Sequence, residues 1–221
     1  MTNETIKCNY DRGRKFYVDA LDEQETAKVA FSRLAGEFIR TKVVPELDAF
    51  RFASYAGKSG ISKATAADLP DGAAVLAALR AAITKMDEDE VPTENRHLFI
   101  TPTLDGMIAD LDTTKSREIL TRFATKTLVP QTRFYTAIDM LDGKTSGEEA
   151  GGYKKATGAK NINFMVFHPS ALIQFQKHTV PKIKGPEDDL DGDRHMFGYR
   201  TVGIADVYAN KLAGIYLHLS L

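Results

Sequence analysis

The sequence predicts an α+β fold, and three observations carry that prediction. A helical period fills much of the first quarter of the chain. Separate β-rich runs stand apart from it, RKFYVDA near the N-terminus and YRTVGIADVYAN and AGIYLHLSL at the C-terminus. Two stretches, RHLFITPTLDGMIADL and INFMVFHPSALIQF, share one order: a strand, a polar residue, a proline, Thr or Ser, then a short helix. Proline at such a junction suits the first helical turn. Two occurrences are too few for a solenoid.

Taken in order, Arg14 to Ala20 reads as a strand from its aromatic and β-branched content. Asp22 with Glu25 three residues on resembles a capping box and opens a helix. Ala27, Phe31, Leu34 and Phe38 follow at spacings of four, three and four, one face of an α-helix. Pro45 interrupts the pattern, because it lacks the N–H that would bond Thr41. Leu47, Phe50 and Phe52 nevertheless continue the apolar content. The reading is one long helix from Asp22 to Gly57, kinked between Thr41 and Pro45. Two separate helices are the alternative.

GKSGISKATAADLPDG reads as a loop, and a second helix spans Ala73 to Met86 with Leu76, Leu79 and Ile83 on one face. After the acidic loop DEDEVPTEN come the strand RHLFIT and the helix TLDGMIADL. REILTRFATKTLVP is ambiguous, with a strand near Thr127 to Val129. DGKTSGEEAGGYKKATGAKN reads as one long, mobile polar loop. INFMVF is a strand, followed by an amphipathic helix through ALIQFQKH.

Composition bounds the function classes. With 221 residues, 43% of them hydrophobic, the chain can bury a real core in one or two domains. A net charge of −1 gives no excess of Lys and Arg for nucleic acid as the main partner. Cys8 is a single thiol, so no intrachain disulfide points to an oxidising compartment. No apolar run reaches the ~20 residues of a membrane helix, and MTNETIKCNYDRGRKF lacks the apolar centre of a signal peptide. The expected site of folding is the cytoplasm.

Three stretches invite a chemical reading. His168 and Ser170 sit two residues apart at a strand–helix corner. A hydrolase would need a third group to orient the histidine, and no G-x-S-x-G elbow surrounds the serine. A helix cap needs only the Ser170 hydroxyl, and is favoured. Gly57-Lys58-Ser59 matches the end of a phosphate loop, but Phe52 stands where the first glycine belongs and a helix stands where a strand belongs. Gly57 as a helix C-cap is favoured there. Asp189, Asp191 and Asp193, with His195 beyond, open like a calcium loop. Arg194 and Arg200 occupy the positions that need glycine and a bidentate glutamate, so Glu187 to Asp193 read as a solvated acidic loop with at most weak cation binding. His97, His178 and His218 lack metal-ligand spacing. No catalytic, cofactor or metal residue is therefore assigned.

Six stretches in order resemble the major capsid protein of tailed bacteriophages and prophages: YDRGRKFYVDALDEQETA, FIRTKVVPELDAFRFA, ENRHLFITP, VPQTRFYTAI, INFMVFHPSALIQ and HMFGYRTVGIADVYANKLAGIYLH. The resemblance implies the fold shared with encapsulins and herpesvirus shell floors. A long spine helix and a β-element form its peripheral domain, and a compact α+β axial domain completes it. Residues 1–58 would be an extended-loop remnant and the spine, 59–186 mostly axial, and 187–221 closing strands shared between the two. The family carries an N-terminal arm and a complete extended loop ahead of the point matched by Ile6 to Asp19, and both are expected to be missing or incomplete here. Shell closure by this chain alone is then not expected.

The implied function is a structural, non-enzymatic subunit of an icosahedral capsid enclosing double-stranded DNA. Its partners would be itself, scaffolding and portal proteins, and packaged DNA without sequence specificity, with no membrane and no small-molecule substrate. It would fold and assemble in the bacterial cytoplasm and end in the virion capsid. An encapsulin-like compartment and a hydrolase through Ser170 and His168 are the alternatives.

Overall fold

The computed structural model describes residues 5–20, 30–111, 113–190 and 192–221, with the side chains of residues 30–32 outside the description. The chain divides into two compact units. One holds Met1–Leu47 and Gln174–Ala205, the other Asp48–Ile173 and Asp206–Leu221.

The first unit is built on a three-stranded sheet. Strands β1 (Tyr10–Asp19), β9 (Arg194–Val207) and β8 (Leu172–Lys184) lie in the order β1-β9-β8. β1 and β9 are antiparallel, from Tyr10 opposite Gly203 to Asp19 opposite Arg194. Directly opposed residues share a face, so Tyr10, Arg12 and Phe16 lie on one face with Thr201 and Phe197. Helix α1 (Ala30–Phe38) brings Phe38 to that face. Its ring centroid lies 5.4 Å from that of Phe16 and 6.4 Å from that of Phe197.

Helical structure continues from α1 through a π-helical segment, Ile39–Val43, into α2 (Val44–Ala56). The one-helix reading therefore holds from Ala30 to Ala56. The expected start at Asp22, with Ala27, and the side chain of Phe31 lie outside the described residues. The interruption at Pro45 takes the form of a wider turn. The Val44 N–H donates to the Ile39 carbonyl, five residues back, just before the position with no N–H to give. The Thr41 hydroxyl also donates to the Glu37 carbonyl at 2.6 Å, a bond that competes with the helix ladder. Leu34 departs from expectation. It is 44% exposed and does not share the packing of Phe38.

The second unit carries a five-stranded mixed sheet. Its strands are β2 (Ser62–Lys63), β3 (His97–Ile100), β4 (Thr125–Leu128), β7 (Ile162–Phe167) and β10 (Ile215–Leu219), in the order β2-β10-β7-β3-β4. β7 runs antiparallel to both neighbours, while β3 is parallel to β4 and β10 to β2. Helix α3 (Gly72–Glu88) covers one face. Val75, Leu79, Ala82 and Met86, spaced four, three and four, are fully buried with Leu98, Ile100, Phe164 and Val166. Asp71 caps this helix by accepting the Ala74 N–H at 2.8 Å. Helices α4 (Pro102–Leu111) and α5 (Thr114–Leu120) extend the same layer through Leu104, Ile108 and Ile119. On the other face an aromatic row connects Phe167, Phe99, Phe52 of α2 and Phe134, with centroids 4.9, 5.4 and 4.8 Å apart in sequence.

Three expectations need correction. The amphipathic helix after Ser170 is absent. Pro169–Ala171 form one 3-10 turn and the chain continues as β8. The reason lies beyond the window that suggested a helix. Thr179, Val180 and Ile183 favour strand, and Pro181 disfavours a helix carried through it. The Gly-rich stretch is only partly loop, because β6 (Gly152–Lys155) pairs antiparallel with β5 (Ile138–Leu141). The ambiguous REILTRFATKTLVP resolves into most of α5 followed by β4, with Thr113 and Ser116 closing a capping box ahead of it.

Two outcomes follow. Leu79→Ala, at a fully buried site, should destabilise the chain by about 2–5 kcal/mol in chemical denaturation. His218 is buried, stacked on Phe164 at 5.1 Å and bonded through Nδ1 to the Asn163 amide at 3.1 Å. Burial lowers its pKa below the ordinary histidine value of 6.5. The unfolded chain therefore binds this proton first, and the stability of neutral His218 is lost as pH falls below 6.5. Melting curves between pH 7 and 5 should show a larger fall for the native chain than for His218→Gln.

Candidate assembly surfaces

The helix is fastened to the first unit's sheet by a polar cluster beside the Phe16–Phe38–Phe197 rings. Glu46 accepts from the Tyr10 hydroxyl at 3.2 Å and from Arg12 Nε at 2.8 Å. Tyr10 and Glu46 are buried. Burial, then the Glu46 carboxylate beside it, pushes the Tyr10 hydroxyl well above its ordinary range, so it stays a donor at any physiological pH. Thr201, opposite Arg12 on β9, is buried, and its hydroxyl has no hydrogen-bond partner among the described residues.

The opposite face of that sheet is polar. Arg200 grips Asp11 with two bonds of 2.9 and 2.6 Å, which hold the Asp11 carboxyl below its usual range. Arg194 does the same to Asp189 at 2.7 and 3.3 Å, and its guanidinium lies 4.9 Å from the Tyr17 ring centre. The edge strand β8 is exposed along nearly its whole length. Phe175 is 60% exposed, Ile183 65%, and Leu190 in the following loop 99%.

The stretches read for chemistry resolve as follows. The Ser170 hydroxyl lies 2.8 Å from His168 Nδ1, and the Ser170 N–H donates to the same nitrogen at 3.3 Å. His168, not Ser170, caps the turn. The expected serine cap is thus corrected, since there is no helix for it to cap. The pair does touch, but Ser170 is exposed and, among the described residues, no carboxylate orients the imidazole. Burial, then the charges of Arg96, Lys211 and His97, lower the His168 pKa and favour its neutral form.

Gly57 and Lys58 extend the end of α2, their N–H groups donating to Ala53 at 2.9 Å and Tyr55 at 3.3 Å. Gly57 directly follows the last residue of α2, the place expected for the C-cap, and Gly60 beyond it takes a left-handed φ of +89°. Lys58 Nζ binds Asp206 at 2.5 Å. Of the calcium-like run, Asp189 is engaged by Arg194 and Asp191 lies outside the described residues. Among the described residues, no three His, Cys, Asp or Glu side chains converge. Cys8 is exposed.

No family model and no curated protein matches the chain. Solved structures do. The capsid structure of cyanophage P-SCSP1u aligns over all of this chain and 77% of its own, with a TM-score of 0.63 at 14% identity. The virus-like particle from Pyrococcus furiosus aligns over 95% and 76%, with the same TM-score and identity. The mature capsid of bacteriophage PhiM1 aligns over 100% and 76%, with a TM-score of 0.55 at 11% identity. The chain has the phage capsid fold.

The long helical run Ala30–Ala56 and the sheet β1-β9-β8 are joined by Glu46. Sequence reasoning missed Glu46 as their fastener. Its signal was present but weak, an acidic residue one position after Pro45, surrounded by the apolar residues of α2. Glu46→Ala removes the acceptor shared by Tyr10 and Arg12 and should cost about 1–3 kcal/mol in chemical denaturation. A change within about 0.5 kcal/mol would place Glu46 among ordinary surface residues.

Proposed function

We propose that this protein is the structural subunit of an icosahedral phage or prophage capsid and carries no catalytic activity. The observation that carries the reading is the capsid fold itself, matched over the whole chain length by shell proteins. The exposed β-element supports it independently. A lone globular protein has little use for a long strand with Phe175 and Ile183 in water, whereas repeated contacts between identical subunits cover such surfaces. In this reading the first unit is the peripheral domain and the second the axial domain. Scaffolding and portal proteins are further partners, double-stranded DNA is a non-specific neighbour inside the shell, and assembly occurs in the bacterial cytoplasm.

The second reading is an encapsulin-like compartment shell, and the fold similarity to the virus-like particle from Pyrococcus furiosus is compatible with it. Purified protein should form concentration-dependent homo-oligomers by mass photometry, with rings or shell fragments under negative stain. Nucleic acid co-purifying with assemblies favours the capsid, and protein cargo the compartment. A chain that stays monomeric up to high concentration would overturn both.

A further inference from the structure

We propose that two copies of this chain meet edge to edge through β8, with the basic strand of each lying against the acidic tip of the other. This rests on the subunit reading above only in taking a second copy as the occupant. The β8–β9 hairpin carries its charge in two blocks. Lys177, Lys182 and Lys184 lie on β8, all exposed. Glu187, Asp188 and Asp193 lie in the turn that follows, also exposed. None of these six makes an ion pair among the described residues. The arginines nearby are already engaged, Arg194 with Asp189 and Arg200 with Asp11. Unspent charge of both signs on one projecting element suits a partner of the same kind.

The spacing selects a geometry. Take an antiparallel approach about a two-fold axis between Lys182 and Ile183. Lys177 of one copy then faces Asp188 of the other, and His178 faces Glu187. Phe175 faces Leu190, pairing two of the most exposed apolar side chains. Along β8 the distance from the axis to Lys177 is ~18 Å at strand rise. From the axis to Asp188 it is ~14 Å, because Pro186–Asp188 form a 3-10 turn. The flexible four-carbon lysine stem spans the difference. Each contact occurs twice by symmetry.

Lysines and a proline on an edge strand also guard against indiscriminate pairing. The two roles agree. Pro181 has no N–H to offer a main-chain ladder, and a lysine strand repels another lysine strand in most registers. In the register above Lys182 and Lys184 stand opposite Ile183 and Pro181, while Lys177 meets Asp188 at both ends of the contact, an attraction that favours this alignment over others. The contact depends on side-chain charge and is reversible.

Sedimentation velocity on the full chain tests this. Self-association should weaken as NaCl rises to about 0.5 M, where exposed charges are largely screened. Lys177→Glu and Asp188→Lys should each weaken it about tenfold or more, and the double variant, which restores opposed charges with signs exchanged, should recover it. Lys177→Arg should behave as the native chain. If oligomers form but ignore these substitutions, or the double variant is no better than the singles, the β8 contact is wrong and the subunit reading stands. If the native chain never associates, both fall. A labelled DNA duplex supplies the remaining arm. Duplex binding lost in Lys177→Glu, with self-association unchanged, would assign the strand to a polyanion and overturn the proposal.

Discussion

Strand β7 is the constraint around which the second unit is arranged. Ile162, Phe164, Met165 and Val166 are fully buried, so both faces of one strand must be covered. Phe164 and Val166 face the α3 layer, while Met165 and Phe167 face the aromatic row that includes Phe52. β3 and β10 then occupy its two edges, and its first residues bond just outside the sheet, the Ile162 N–H to the Phe134 carbonyl and the Asn163 carbonyl from the Thr101 N–H. A strand covered on every side reads as an unbroken apolar run rather than an alternation, which is why INFMVF is prominent in the sequence.

The first unit obeys the opposite condition. Among the described residues its sheet is covered on one face, by the long helix, and the alternation of β1 and β9 follows from this. Phe16 and Phe197 pack under Phe38, while Asp11 and Arg200 face water and pair with each other. Such a sheet has a small core, and its edge strand β8 contributes almost nothing to it. In an isolated domain an edge of that kind is a liability.

Elements with strong local signals were legible in the sequence. Val75 to Met86 at helical spacing, the β-branched closing strands, and the junction of β3 with α4 at Pro102 all behave as their composition dictates. β8 was not legible, because its first residues alone imitate helical periodicity and its strand character rests on Thr179, Val180 and Ile183 further on. Its edge position is a tertiary fact that no local window contains. Glu46 and Arg96 escaped for a related reason. Arg96 is 2% exposed and bonds the carbonyls of Val91 and Pro92 as well as Asp87, yet a buried arginine looks like a surface one until its acceptors are placed around it. The capsid fold was legible from six ordered stretches taken together, none of which carries a chemical signature alone.

The place of β10 sets a condition on how the second unit can fold. Ile215–Leu219 lie between β2 and β7, partners far from them in the sequence. Until this strand is seated, β7 keeps one edge bare and β2 has no neighbour in the sheet. Pairings between distant segments must overcome loop-closure entropy before they contribute. The helical layer of α3, α4 and α5 rests on nearer contacts and can gather without that cost. Seating β10 is then the step that completes the unit, and a chain caught before it presents a bare strand edge to any other chain.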